Sequence, residues 1–142
     1  MTRAPLLIAC AAAIVLVLGV VHLAYTFHGP KLTPRAAGLQ AAMRADSPHI
    51  SRSTTMWDAW ISFNASHSLG AILFGLLYGY LACALPEVLL GSRFLCTLGL
   101  GMLLSYVALG WCYWFSVPLT GVSIAAALFA GGLALQAGSP GA

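Results

Sequence analysis

Charged residues are scarce in this chain, where they make up only 6% of 142 residues. They are Arg3, Lys31, Arg35, Arg44, Asp46, Arg52, Asp58, Glu87 and Arg93. They leave three runs without any charged side chain, at residues 4–30, 59–86 and 94–142. Ordinary soluble domains carry about 25% charged residues, and a mean hydropathy of +0.93 is far too apolar for one. The composition therefore excludes a soluble globular domain and a disordered chain.

Three further absences narrow the classes of function. The net charge of +3 is small and scattered among apolar segments, which argues against a nucleic-acid partner. The four cysteines form neither a CxxC motif nor a zinc-ligand spacing with histidine, so no metal site is predicted. The only acids, Asp46, Asp58 and Glu87, lie at the ends of apolar segments and form no recognisable catalytic arrangement. We therefore predict no catalytic residue and favour a protein that is not an enzyme.

The uncharged runs are long enough for four transmembrane helices, since about 20 mostly apolar residues cross a bilayer. The predicted spans are about 5–27, 56–85, 94–115 and 119–135, with a polar loop at 28–55. Within that loop, Thr33 and Pro34 predict the start of a short surface helix that ends near Ala45. The expected fold is all-α: a polytopic membrane protein with a single membrane domain over residues 1–142. It is a four-transmembrane-helix bundle with a short surface helix in the first loop.

The start of the second span carries a clear helix-capping signal. Thr55 followed by Asp58 fits a capping box, so the helix should begin at Met56. A helix that continues to residue 85 is about 45 Å long and exceeds the roughly 30 Å hydrocarbon layer. We therefore expect its first turns, with Trp57 and Trp60, to lie at the level of the lipid headgroups.

Small side chains recur every four residues on three of the predicted spans, which is the spacing that lets membrane helices pack closely. The predicted helix-packing residues are Gly75, Gly79, Gly101, Ser105, Ser123, Ala127 and Gly131. Packing within the bundle is the interpretation we favour. The alternative is an interface with a second copy or with another protein of a membrane complex.

A group of polar side chains follows the two tryptophans of the second span. Asn64 and His67 share a helical face with Trp60, and His67 lies about 10 Å deeper along the helix axis. Unpaired amide and imidazole groups at that depth cost several kcal/mol, so they should face other helices. His22 and Tyr25, near the end of the first span, would reach the same membrane face if the first two spans are antiparallel neighbours.

Three interpretations of this polar group stay open. It could be a hydrogen-bonded cluster that fixes the register of the helices. It could be a ligand-binding site for an amphiphile or a quinone, built by His22, Tyr25, Trp60, Asn64 and His67. It could also hold a haem between His22 and His67, although neither histidine stands in the spacing typical of metal-binding helices. The residues alone name no cofactor.

Two stretches resemble a group of small bacterial four-helix membrane proteins. The first reads YTFHGPKLTPR from Tyr25, and the second runs from Thr54 through Trp57 to the segment NASHSLG that begins at Asn64. The resemblance implies a bacterial inner membrane and an architecture broadly similar to DoxX-like proteins, but no activity. Together with the composition, it favours a non-enzymatic structural or accessory component. Its expected partners are the lipid bilayer and either further copies of the chain or a larger membrane complex.

Overall fold

A computed structural model describes residues 3–36 and 38–138 of the chain. Those residues form helices, turns and loops, without a strand. The helices are α1 (Arg3–Phe27), α2 (Leu39–Ala45), α3 (Met56–Ala84), α4 (Pro86–Gly91), α5 (Arg93–Tyr113) and α6 (Ser116–Ala137). Four of them, α1, α3, α5 and α6, are long and apolar enough to cross a membrane. The predictions of an all-α chain and of four candidate spans are confirmed.

The short helix in the first loop begins later than the sequence predicts. Thr33 does not cap it, because the Thr33 amide and hydroxyl both donate to the carbonyl of Pro30 and close a separate turn. Helix α2 starts only at Leu39, after Gly38 with φ 84°. Glycine adopts that left-handed backbone without the strain that other residues suffer. The predicted start at Thr33 and Pro34 is therefore wrong, whereas the predicted end at Ala45 is confirmed.

The connection between α3 and α5 is also more ordered than a tight turn. It contains helix α4, which has Pro86 at its first position, where a missing amide hydrogen removes no helical hydrogen bond. Leu89 of α4 is fully buried. Ser92 then ends α4 and caps α5, since its hydroxyl accepts a hydrogen bond from the amide of Leu95 at 3.3 Å. An amphipathic turn of helix thus adds an apolar side chain to the core.

The chain divides into two compact units, and α1 and α3 contribute a segment to each. Unit 1 comprises residues 1–18 and 71–142, and unit 2 comprises residues 19–70. Unit 1 therefore contains parts of all four long helices together with α4. Unit 2 contains the end of α1, the first loop with α2, and the beginning of α3.

The core of unit 1 is centred on Tyr78. Its ring stacks on Phe74 at 4.5 Å between centroids and meets Phe129 edge-on at 5.5 Å. Its hydroxyl donates to the carbonyl of Leu95 at 2.8 Å, so the polar end of this buried side chain is satisfied. Gly99 makes room for both rings, because a Cβ there would lie 2.6 Å from Phe129 and from Tyr78.

Two other glycines of unit 1 mark close helix contacts. A Cβ on Gly75 of α3 would lie 2.6 Å from the Cβ of Leu16 and 2.9 Å from the carbonyl of Ala12, both on α1. A Cβ on Gly132 of α6 would lie 2.9 Å from the carbonyl of Ala4, also on α1. Such backbone approaches are how helices gain van der Waals contact where lipid gives no hydrophobic drive.

Unit 2 is held together at the start of α3. The Thr55 hydroxyl accepts from the amide of Asp58 at 3.1 Å and donates to its carboxylate at 2.8 Å. The amide of Met56 donates to the carbonyl of Asp46, the residue that ends α2. The predicted helix start is confirmed, although the Asp58 carboxylate contacts the threonine hydroxyl rather than the capping amide.

Candidate functional site

The polar cluster lies in unit 2, near the beginning of α3. This helix has 29 residues, about 44 Å at 1.5 Å per residue, which is more than the roughly 30 Å hydrocarbon layer. Its polar residues are concentrated in its N-terminal half. Trp57, Trp60, Asn64 and His67 all lie in this N-terminal half.

His22 and Asn64 form the hydrogen bond at the centre of the cluster. His22 Nε2 lies 2.9 Å from Asn64 Oδ1, and Asn64 Nδ2 donates to the carbonyl of Trp60 at 2.8 Å. The second bond fixes the orientation of the amide, so the atom that faces His22 is an acceptor. His22 Nε2 must therefore carry the hydrogen and donate it. Asn64 is only 7% exposed, so its side-chain oxygen needs this hydrogen bond to be satisfied.

His67 completes the cluster on the next turn of α3. Its ring meets that of His22 nearly at right angles, with 5.6 Å between the centroids. Around the two rings, short polar side chains turn back to their own helices. Thr26 donates to the carbonyl of His22, and Ser68 donates to the carbonyl of Asn64. The structure thus brings His22, Asn64 and His67 together, as the sequence predicts.

The other two predicted ligand-binding residues have different contacts. Tyr25 is exposed, and the ammonium of Lys31 lies 6.0 Å from the centre of its ring. Trp60 is exposed and donates through Nε1 to the carbonyl of Leu32 in the first loop, at 3.1 Å. Within the described residues, the side-chain contacts of His22 are to Asn64 and His67 and not to Tyr25 or Trp60. Their role in ligand binding stays a prediction.

The chemistry of the cluster is that of a closed network. Within residues 3–36 and 38–138, no buried side-chain nitrogen or oxygen lacks a hydrogen-bond partner. The same residues contain no group of three or more histidines, cysteines and acids placed to hold a metal ion. His22 Nε2 is directed at Asn64, so a haem iron could use that nitrogen only after the hydrogen bond breaks. The geometry therefore favours a structural role for these side chains.

Sequence reasoning missed a second feature of unit 2, a cation held against a buried indole. The guanidinium of Arg44, on α2, lies 5.0 Å from the centre of the Trp57 ring. That distance is within the roughly 6 Å over which cation–π attraction is significant. The pairing of Trp57 with a residue of another segment leaves no local signal in the sequence.

Some of the predicted helix-packing residues pack against α1, whereas others are exposed. Gly75 and Gly79 face Ala12 of α1, and a Cβ on Gly131 would lie 3.7 Å from the side chain of Leu7. On α6, Ser123 is half-buried and Ala127 is exposed, while the close approach to α1 lies at Gly132. Gly101 and Ser105 of α5 are exposed, and a Cβ on Gly101 would meet no atom within 4 Å.

These exposed residues belong to a continuous stripe on α5, which we call the small-residue face. Its members are exposed and recur at intervals of three or four residues: Thr97, Gly101, Ser105, Ala108 and Cys112. The Thr97 hydroxyl donates to the carbonyl of Arg93 at 2.7 Å, and the Ser105 hydroxyl donates to the carbonyl of Gly101 at 2.9 Å. The stripe is therefore smooth and has no polar group that needs a partner.

Comparisons with known proteins add nothing to this geometry, because no family model, no curated protein and no solved structure matches the chain.

Proposed function

We propose that this chain is a non-enzymatic integral membrane protein that self-associates through the small-residue face of α5. The observation that carries the proposal is that a Cβ on Gly101 would meet no atom within 4 Å. The resemblance of the first two spans to small bacterial proteins supports a place in a bacterial inner membrane. The proposed role is structural: the chain is a component of a membrane assembly built from its own copies.

Exposed apolar side chains support insertion in a bilayer. Large apolar residues are exposed along all four long helices, for example Val17, Leu73, Leu104 and Ile124. Soluble monomers rarely expose such continuous apolar surface, whereas for a bilayer protein it is the ordinary lipid-facing surface. Arg3 and Arg93 are the only charged residues within the four candidate spans besides Asp58, and all three lie in first turns.

The closed polar cluster supports a structural rather than a catalytic role. His22 and Asn64 use each other as partners, so the pair can set the register of α1 against α3 within unit 2. The partner of His22 Nε2 is an amide oxygen, which does not act as a general base for the ring in the way that a carboxylate does. We therefore assign the cluster a role in stability and look for the function on the exposed surfaces of the helices.

The small-residue face supports association between copies. Gly75, Gly99 and Gly132 are packed tightly against the chain itself, whereas Gly101 has the same helical setting with nothing against it. Small residues at four-residue spacing allow two helix backbones to approach closely, and identical faces meet naturally about a twofold axis. A second α5 is thus a partner whose shape matches this face.

The substitution Gly101→Ile tests the proposal, because it fills the face without touching the fold of the monomer. Native mass spectrometry in mild detergent should find the wild type as a dimer and Gly101→Ile as a monomer. Ala130→Ile on α6 is the matched control, since it adds a branched side chain at another exposed position and should stay dimeric. A monomeric wild type with no co-purifying protein would contradict the proposal.

Cys112 provides an independent test at the end of the same face. If two copies of α5 pack in parallel about a twofold axis, each position of the small-residue face meets its own counterpart, so mild oxidation in membranes should join two copies through Cys112. Cys112→Ser should abolish the cross-link, whereas Cys83→Ser, another exposed cysteine, should leave it intact. Cross-linking that is unaffected by Gly101→Ile would show that the interface lies elsewhere.

A further inference from the structure

We infer that unit 2 carries a binding site for the phosphate of an anionic phospholipid, formed by Arg44 and Lys31 beside the indoles of Trp57 and Trp60. The inference rests on the membrane insertion proposed above but not on self-association. The site is separate from the histidine cluster and uses none of its three side chains.

The charge of unit 2 favours an anionic ligand. Residues 19–70 contain four basic side chains, at Lys31, Arg35, Arg44 and Arg52, against two acids, Asp46 and Asp58. Both acids are already engaged locally. The Asp46 carboxylate accepts from the amide of Ser47, and the Asp58 carboxylate accepts from the hydroxyl of Thr55. Within the described residues, neither acid forms an ion pair with a basic side chain.

Aromatic rings, rather than carboxylates, hold two of these cations in place. Arg44 lies over the ring of Trp57, and Lys31 lies at the edge of cation–π range from Tyr25. An aromatic ring attracts the positive charge, but it does not accept hydrogen bonds from the N–H groups as a carboxylate would. Arg44 and Lys31 are exposed and make no side-chain hydrogen bond within the described residues, so their N–H donors are available to a ligand.

The two tryptophans bring these cations to one face of α3. Trp57 and Trp60 are three residues apart, so their side chains are neighbours on the helix surface. Trp57 is covered by Arg44, while Trp60 donates to the carbonyl of Leu32, the residue next to Lys31. Two segments distant in sequence, α2 and the loop after α1, are thereby fixed beside the same pair of indoles.

The depth of this site identifies the source of the anion. Helix α3 is longer than the hydrocarbon layer is thick, and its polar end is the N-terminal one. We therefore place the indoles of that end at headgroup level. Phospholipid phosphates are concentrated at that level, and Arg and Lys near an anionic leaflet each contribute about 1 kcal/mol, roughly fivefold, to binding. Phe63, one turn deeper than Trp60, is 69% exposed and offers apolar surface to the acyl chains.

The test is competition between two lipids of equal chain length. The protein in mild detergent is given equal amounts of phosphatidylglycerol and phosphatidylcholine, and native mass spectrometry measures the ratio of bound lipids. The wild type should prefer phosphatidylglycerol. Arg44→Gln and Lys31→Gln should each reduce that preference by about fivefold, and Arg44→Lys should retain most of it.

Arg52→Gln is the matched control, because Arg52 is exposed in the same loop but contacts no ring in the described residues. It should keep the preference of the wild type. Circular dichroism and elution volume monitor the fold of each variant, and the exposed Lys31→Gln remains informative if Arg44→Gln is unstable.

Three outcomes would overturn the inference: equal binding of both lipids by the wild type, an equal loss in Arg52→Gln, or displacement of phosphatidylglycerol by excess glycerol phosphate. The last would identify a site for soluble phosphates. Alkaline extraction of membranes tests insertion separately, so an inserted chain without lipid preference refutes the lipid site alone.

Discussion

Breaking the bond between His22 and Asn64 from either side should destabilise the protein, and removing both side chains should cost less than the two single losses added together. Asn64→Leu leaves the His22 Nε2 hydrogen without its acceptor, and His22→Leu leaves the buried Asn64 Oδ1 without its donor. An unsatisfied polar group costs about 1–3 kcal/mol when buried. His22 is only partly buried, and hydrogen bonds between membrane helices average about 0.6 kcal/mol. We therefore expect each single variant to lose about 1–2 kcal/mol of unfolding free energy.

The double variant decides between a structural pair and two independent residues. When both partners become leucine, no polar group is left unpaired, and the loss should be smaller than the sum of the two single losses by about 1 kcal/mol. Unfolding in mixed micelles of increasing sodium dodecyl sulfate, followed by circular dichroism, measures the three free energies. Ser66→Ala combined with Asn64→Leu is the control. The Ser66 hydroxyl is exposed and bonds only the carbonyl of Phe63, so these two losses should add.

Strict additivity in the His22 and Asn64 pair would refute the reasoning, because it would mean that the bond contributes nothing. Retention of a ligand by the wild type would instead contradict the structural role proposed for the cluster. If the wild type retains a haem, a quinone or another amphiphile that His67→Ala releases without unfolding the protein, the cluster is a binding site. The absorption spectrum and mass of the same purified sample detect such a ligand.

Two further predictions concern stability. Gly99→Ala should cost about 1–3 kcal/mol of unfolding free energy, because its Cβ would lie 2.6 Å from the rings of Phe129 and Tyr78; Gly101→Ala, with open space at the same type of position, should not destabilise the monomer. Thr55→Ala should cost about 1 kcal/mol through loss of the helix cap, and Thr55→Ser should restore it; an unchanged midpoint in the same denaturation assay would contradict the capping role of this hydroxyl.

The sequence was sufficient for the features that depend on composition and on neighbours along the chain. Long uncharged runs predict the four long helices because a helix satisfies its own backbone wherever water is absent. The start of α3 at Met56 followed from Thr55 and Asp58, which are local partners. The predicted start of α2 was wrong because residues 30–33 close a separate turn and the helix begins only after Gly38.

Features that depend on which helix faces which were only partly accessible. Asn64 and His67 could be placed near His22 because depth in a membrane can be counted along a helix. Gly132 could not be distinguished from Gly131, since a rotation of one residue decides which of them meets the backbone of α1. Contacts between distant segments, such as Arg44 with Trp57, leave no periodic signal in a sequence.

The contrast between the glycines of this protein leads to its proposed role. In lipid, apolar surface does not by itself drive helices together, so an exposed leucine needs no partner. A glycine in a transmembrane helix is different, because it lowers helix propensity and gives up side-chain contact with the lipid. Gly99 and Gly132 recover that loss through contacts inside the chain. Gly101 can recover it only from outside, and a second copy of α5 offers a surface that is equally smooth.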